Sequence, residues 1–273
     1  MPKITVVQMN PGASKRDNIA QAERLIDAAS AEDRPDVMTL PEVWSCLGGT
    51  RENKFAQAEE IPGGAAYEFL SSKAREHHIY LHGGSIVEKG GDKLFNTTLV
   101  FGPDGDEIAR YRKIHLFDIT APDGTGYRES ATYGSGDQIV TCTAAGLRLG
   151  LAICYDIRFP ELFLALRRAG AELILLPSAF TLQTGKDHWE VLIRARAIET
   201  QCWFAAAATW GRHPEGKTNE PRFTYGHSLI CDPWGHVVAK TSDGIGWATA
   251  RIDPAVTARV RRDMPVLEHR KLA

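Results

Sequence analysis

Two stretches of this 273-residue chain follow one plan, and that repetition narrows the folds open to it. In the first, a strand at Ile4–Met9 leads to a helix around Lys15–Ala29. There Ile19, Ala22, Leu25, Ile26 and Ala29 recur at helical spacing. A strand at Asp36–Leu40 then meets the corner Pro41-Glu42. In the second, a strand ending at Cys154 leads to a helix Pro160–Ala169 closed by Gly170, a strand Glu172–Leu176 and the corner Pro177-Ser178. Val37-Met-Thr-Leu-Pro41 and Leu173-Ile-Leu-Leu-Pro177 hold equivalent places. Further on, Tyr67-Glu-Phe-Leu70 and Trp189-Glu-Val-Leu192 each open a helix, followed by strands near Ile79–Ile86 and Trp203–Thr209. Two hairpins complete the likeness. Thr98-Leu-Val-Phe-Gly-Pro-Asp-Gly105 and Ser228-Leu-Ile-Cys-Asp-Pro-Trp-Gly235 both place Pro and Gly two residues apart in the turn.

Each unit puts helices on one face of a sheet and leaves the other face apolar. Burying both apolar faces requires the sheets to stack. The expected fold class is therefore α/β: a four-layer α-β-β-α sandwich with an internal pseudo-twofold repeat. No Pro/Gly/Ser-rich linker separates the halves, so one domain over residues 1–273 is expected, with a C-terminal arm from about Val256 to Ala273. Gly211–Pro221, rich in turn residues, reads as a surface loop.

Composition excludes several classes of function. A net charge of −2 with well-mixed signs gives no electrostatic case for nucleic acid. No run approaches the roughly 18 apolar residues of a membrane span, and the N-terminus reads as a strand, not a secretory leader. The five cysteines, Cys46, Cys142, Cys154, Cys202 and Cys231, are odd in number with no Cys-x-x-Cys spacing. A reduced, cytoplasmic setting fits them better than a disulfide framework. His78 and His82, four apart in a region read as strand, do not mimic a helical metal pair, and no metal or organic cofactor is expected.

Chemistry concentrates at strand ends. Leu149–Ile153 reads as a buried strand that delivers Cys154 to a helix N-terminus, where the dipole favours a thiolate nucleophile. None of the nine histidines is marked out as its partner, so a Cys–His peptidase lacks its motif context. Glu42 and Lys113 end strands of their own. In stacked sheets these ends can converge, with the carboxylate moving protons and the lysine stabilising thiolate and oxyanion by charge. Arg158, four residues after Cys154, can hold a substrate carboxylate or sit in a structural salt bridge. Phe180-Thr-Leu-Gln-Thr184 follows a strand end and can line the pocket, which makes Phe180 and Thr181 candidates.

Several motifs connect these residues. They are Leu40-Pro-Glu-Val-Trp44, Tyr111-Arg-Lys-Ile-His-Leu-Phe-Asp118, Tyr127-Arg-Glu-Ser130 and Gly150-Leu-Ala-Ile-Cys-Tyr-Asp-Ile-Arg-Phe-Pro-Glu161. His188-Trp-Glu-Val-Leu-Ile-Arg-Ala-Arg-Ala-Ile-Glu199, Tyr225-Gly-His-Ser228 and Asp232-Pro-Trp-Gly235 follow. Together they resemble the nitrilase, or carbon–nitrogen hydrolase, superfamily over nearly the whole chain. The resemblance implies Glu42 as general base, Lys113 as oxyanion stabiliser and Cys154 as nucleophile. It further implies Glu129 as a second glutamate positioning substrate or Lys113, and the Tyr155 backbone N–H as the other oxyanion donor. It is strongest toward the branch of deaminated glutathione amidases and ω-amidases. It implies a small carboxylate-bearing amide as substrate, a thioester intermediate, ammonia as leaving group and a homodimer or larger assembly. Glu215–Arg222 departs from that branch in being longer than the corresponding loop. An N-carbamoyl amino acid hydrolase, a true nitrilase and a non-catalytic scaffold are the alternatives to exclude.

Overall fold

Alternation along single strands decides the layering. In β1 (Lys3–Gln8), Ile4 and Val6 face one core while Val7 and, just beyond, Met9 face another. The computed structural model describes residues 1–121, 124, 126–214 and 221–271. Helix α1 (Lys15–Asp33) starts where the Ser14 hydroxyl accepts from the Asp17 N–H, four residues longer at its C-terminal end than the apolar period alone suggests. After it come β2 (Val37–Thr39), α2 (Arg51–Gln57), α3 (Ala65–His77), β3 (Tyr80–His82), β4 (Ile86–Gly90), β5 (Lys93–Phe101) and β6 (Glu107–Arg112). The single strand read near Ile79–Ile86 is thus two strands, parted by Gly83-Gly84. A small hairpin, β7 (Asp118–Thr120) and β8 (Gly126–Arg128), leads to the second half.

That half runs β9 (Thr141–Ala144), β10 (Leu147–Leu151), α4 (Pro160–Arg168), β11 (Leu173–Leu175), α5 (Leu182–Thr200) and β12 (Trp203–Ala206). It continues with the hairpin β13 (Trp210–Pro214) and β14 (Pro221–Tyr225), then β15 (Leu229–Cys231), β16 (Val237–Lys240), β17 (Gly246–Arg251), α6 (Pro254–Asp263) and α7 (Val266–His269). The segment read as a Gly211–Pro221 loop is therefore largely strand at both ends, and its residues 215–220 lie outside the described residues.

The sheets repeat each other. One has the order β17-β1-β2-β3-β5-β4 with β6 also on β5; the other has β16-β15-β12-β11-β10-β9. β1, β2 and β3 correspond to β10, β11 and β12, each triplet parallel, and the hairpins β5–β6 and β15–β16 correspond in turn. Both hairpins slip register at the same place, at Val100/Phe101 and at Ile230/Cys231. Ile4, Val6, Val37 and Val100 of the first sheet share a core with Leu149, Leu151, Phe204 and Ile230 of the second. Val7, Met38, Leu81 and Phe101 point the other way, against Ala22, Ile26, Leu70 and Ala74 of α1 and α3. The layers run helix, sheet, sheet, helix. Among the described residues, no helix is long and apolar enough to cross a membrane.

Candidate active site

The corner after β2 is built around a glycine that admits no side chain. A Cβ on Gly84, whose φ is +59°, would lie 2.1 Å from the Pro41 carbonyl oxygen. The Ser85 N–H donates to that oxygen, and the Ser85 hydroxyl accepts from the Val43 N–H at 2.8 Å. Val43 is held at φ +43°, a strained setting for a β-branched residue. Between these anchors Glu42 turns inward.

Lys113 leaves β6 with its N–H on the Asn96 carbonyl at 2.9 Å and is buried, with 2% of its side chain exposed. Its ammonium lies 2.9 Å from Glu42 Oε1 and 3.0 and 3.2 Å from the two oxygens of Glu129, which begins a 3₁₀ turn. Glu129 also accepts from the Phe117 N–H at 2.6 Å. A residue that sequence reading missed joins the carboxylates: Asn96 Nδ2 donates to Glu42 at 2.9 Å and reaches Glu129 at 3.4 Å. Asn96 sits in the middle of β5, where nothing in the local pattern sets it apart from a structural strand residue.

The strand expected to end at Cys154 stops at Leu151, the end of β10; Cys154 lies three residues on and opens a 3₁₀ turn, Cys154–Arg158, at φ +47°. Asp156, fully buried, fastens that turn. It accepts from the Ile153 N–H (2.8 Å), the Tyr111 hydroxyl (2.7 Å) and the His115 backbone N–H (3.0 Å), with His115 Nδ1 at 2.7 Å. Tyr111 and His115 bracket Lys113 in sequence, so one carboxylate ties the sulfur-bearing turn to the lysine-bearing turn. The motif around Cys154 contained Asp156 and the motif around Lys113 contained Tyr111 and His115; the pairing across the two sheets was not visible in them. Arg196 supports the same turn by donating to the Ile157 carbonyl at 2.9 Å.

Electrostatics revise one expectation. The thiol of Cys154 is pushed well up, first by burial and then by the Glu42 charge; the Lys113 charge and the adjoining Ala179 N–H act the other way and lose. A helix terminus was expected to favour thiolate. Here burial and a neighbouring carboxylate outweigh it and favour the neutral thiol. For Glu42, burial pushes up, but the Lys113 ammonium and the contact with the Cys154 thiol outweigh it, leaving its carboxyl below the usual range. Lys113 is the reverse case: burial pushes down, and Glu129, Glu42 and Cys154 hold it well above its ordinary value.

Glu42, Lys113, Glu129, Cys154, Tyr155, Arg158, Phe180 and Thr181 all line one cavity of about 230 Å³. Arg158 has its guanidinium 5.5 Å from the Phe180 ring and 5.9 Å from Tyr155, with His188 at 3.3 Å. No carboxylate among the described residues pairs with it. Thr181 lines the wall and also caps α5, its hydroxyl accepting from the Thr184 N–H. That cap starts α5 at Leu182, seven residues before the opening expected at Trp189, and leaves Leu182 half exposed. His82 is buried between the Thr39 and Thr98 hydroxyls, both at 2.7 Å, and burial lowers it to about 3. Among the described residues, one group offers three ligand atoms to a metal: Asp27, Glu76 and His77 on the outer helices. The Lys73 ammonium already pairs with two of the three, 2.9 Å from Asp27 and 3.0 Å from Glu76.

A family model for carbon-nitrogen hydrolases matches residues 3–262. The chain belongs to the carbon–nitrogen hydrolase family. It is a hydrolase acting on carbon–nitrogen bonds other than peptide bonds. This carbon–nitrogen hydrolase is 42% identical over 269 residues to a deaminated glutathione amidase of Synechocystis sp., covering 97% of this chain and 96% of that one. It is 37% identical over 270 residues to an omega-amidase of Mus musculus, covering 98% and 95%. Among solved structures, the C. elegans NitFhit protein superposes with a TM-score of 0.90 at 37% identity, over 99% of this chain and 65% of that longer one.

Proposed function

We propose that the enzyme hydrolyses a small amide bearing a carboxylate, through a thioester on Cys154. The observation that carries this reading is a buried ammonium, Lys113, held between two carboxylates in the cavity that Cys154 also lines. Glu42 starts ionised and takes the thiol proton as sulfur attacks the amide carbon. The developing oxyanion is met by the Lys113 ammonium and the Tyr155 N–H. Lys113 gives charge without giving up its proton, because Glu129 and Glu42 hold it protonated. Glu42 then protonates the departing nitrogen, the C–N bond breaks, and the thioester remains. Water, deprotonated by Glu42, attacks the thioester; the thiolate leaves and recovers a proton from Glu42. The products are a carboxylic acid and an amine or ammonia.

Arg158 is the cation placed to hold the carboxylate of the acyl half, with Phe180 and Thr181 shaping its wall. The relatives' names, deaminated glutathione amidase and omega-amidase, fit deaminated glutathione first and an ω-amide such as 2-oxoglutaramate second. Hydrolysis of either γ-amide yields 2-oxoglutarate; the partner product is ammonia only from 2-oxoglutaramate. Five free, buried thiols suit a reducing, cytoplasmic compartment. Exposed Val191 and Ile198 on α5, with Trp234 exposed as well, supply an apolar surface for a homodimer.

The test is 2-oxoglutarate release from both amides, with N-carbamoyl amino acids and a nitrile alongside. Wild type is expected to release 2-oxoglutarate and to show an acyl mass adduct on Cys154 after acid quench. Cys154→Ala is expected to do neither, and a Cys154→Ala enzyme with full turnover sinks the mechanism.

A further inference from the structure

One buried donor of the cavity has no task in that mechanism. Tyr133 lines the cavity and is only 8% exposed, yet its hydroxyl makes no hydrogen bond among the described residues. That oxygen is not sealed from all space, as Asn96 Oδ1 is, so it opens onto the cavity. Its backbone is fixed on both sides: the Tyr133 N–H donates to the Glu129 carbonyl at 2.9 Å, and the Gly134 N–H to the Leu94 carbonyl at 2.7 Å. The ring packs in an apolar cluster with Val43, Leu47, Val87 and Leu94, which leaves the hydroxyl as the part that meets a ligand. Burial, and after it the Glu129 charge, push that hydroxyl up, so it stays a neutral O–H donor. A buried donor without a partner costs free energy that a bound acceptor would recover.

The other donors of the cavity are engaged, wetter or charged. The Thr181 and Thr184 hydroxyls pair with each other at 2.8 Å, and the Asn96 amide is spent on Glu42 and Glu129. The Cys46 thiol faces the Ala13 carbonyl at 3.9 Å. Tyr127, Thr132 and Tyr155 are only half-buried, within reach of water. Lys54, Arg128, Arg158 and Arg222 line the cavity as cations, which suits them to the carboxylates of a substrate. On the substrate side, Lys113 and the Tyr155 N–H meet the reacting carbonyl, and Glu42 meets the departing nitrogen. What remains in the acyl half shared by deaminated glutathione and 2-oxoglutaramate is the 2-oxo oxygen, a neutral acceptor that a neutral donor fits.

We propose that the Tyr133 hydroxyl donates a hydrogen bond to the 2-oxo oxygen of the acyl half, which makes Tyr133 the residue that selects amides of 2-oxo acids over amides of plain dicarboxylic acids. This rests on the amidase mechanism above and adds recognition of the acyl group to it. Tyr133 is tied to the Glu129 turn and packs with Val43, the neighbour of Glu42, so it stands beside the reacting centre. The 2-oxo carbon lies only a few bonds from the amide carbon of such a substrate, within a cavity of about 230 Å³.

The experiment compares two amides with one leaving group: deaminated glutathione and its 2-deoxo analogue, glutaryl-cysteinylglycine, each followed by release of cysteinylglycine. In the wild type, kcat/KM for the 2-oxo amide should exceed that for the analogue by about five- to hundredfold, the range for leaving a buried donor unpaired, with the difference mainly in KM. In Tyr133→Phe, which keeps the ring and its packing, the ratio should fall to near one. Any general slowing of the variant affects both amides and cancels in the ratio. A ratio near one in the wild type, or an unchanged ratio in Tyr133→Phe, overturns the proposal. If the wild type cleaves neither amide, the amidase reading fails by itself. Tyr133 is then judged by isothermal titration with 2-oxoglutarate and glutarate. The wild type should bind 2-oxoglutarate about five- to hundredfold more tightly, and Tyr133→Phe should erase the difference. Equal affinity for the two acids in the wild type, or binding of neither, overturns the proposal.

Discussion

Lys113→Met separates what holds the site together from what drives the reaction. Methionine fills similar space without charge or strong donor. The lost ammonium lay 2.9 Å from Glu42 and 3.0 Å from Glu129, almost wholly out of water. Two costs follow. Removing an oxyanion donor raises the barrier by about 3–4 kcal/mol, a loss of roughly a hundred- to thousandfold in kcat. Stripping the counterion from two buried carboxylates costs about 3–5 kcal/mol of stability unless one of them takes up a proton. Burial then raises Glu42 unopposed by Lys113, so less of the base is ionised at neutral pH. Together these should lower kcat/KM by at least about a thousandfold. The assay is 2-oxoglutarate release, with thermal unfolding by circular dichroism on the same samples. The double variant Lys113→Met/Glu129→Gln removes one of the stranded charges. It should recover much of the melting loss while activity stays down. A folded Lys113→Met enzyme within about tenfold of wild type would refute the reasoning, as would a double variant no more stable than the single one.

The pH profile of kcat/KM should be broad. Glu42 is lowered from its ordinary 4.5 and Cys154 raised well above 9.0, so the plateau should span those values, with limbs that belong to the coupled pair. The sign for stability agrees: a depressed carboxyl stabilises fully above its unfolded pKa and loses that contribution as pH falls through its folded value. A narrow bell with limbs at about pH 6 and 8 would point to a thiolate–imidazolium pair instead. Gly84→Ala should lower both the melting temperature and kcat, since its Cβ would push the Pro41-Glu42 corner away; unchanged kcat would show that Glu42 tolerates displacement.

Much of this molecule was legible in one dimension. The repeated strand, corner and hairpin patterns imply two sheets whose apolar faces must meet, because nothing else in the chain is large enough to cover them. The corner Pro41-Glu42 and the end of the run Leu149–Ile153 made Glu42 and Cys154 candidates. Local periodicity also misled in places. It missed the Thr181 cap of α5 and the strands of the β13–β14 hairpin, since a run of Thr, Gly and charged residues carries no apolar period.

Asn96 and Asp156 were out of reach for a different reason. Each is a polar residue whose role depends on what lies opposite it: Asn96 between two glutamates, Asp156 across to Tyr111 and His115. The protonation of the sulfur belongs with them. Sequence alone determined which side chains arrive at the strand ends, because hydrophobic alternation and turn chemistry act over a few residues. Only tertiary structure decided their charge states and partners, because burial and Coulomb interactions depend on distance in space and not on separation along the chain.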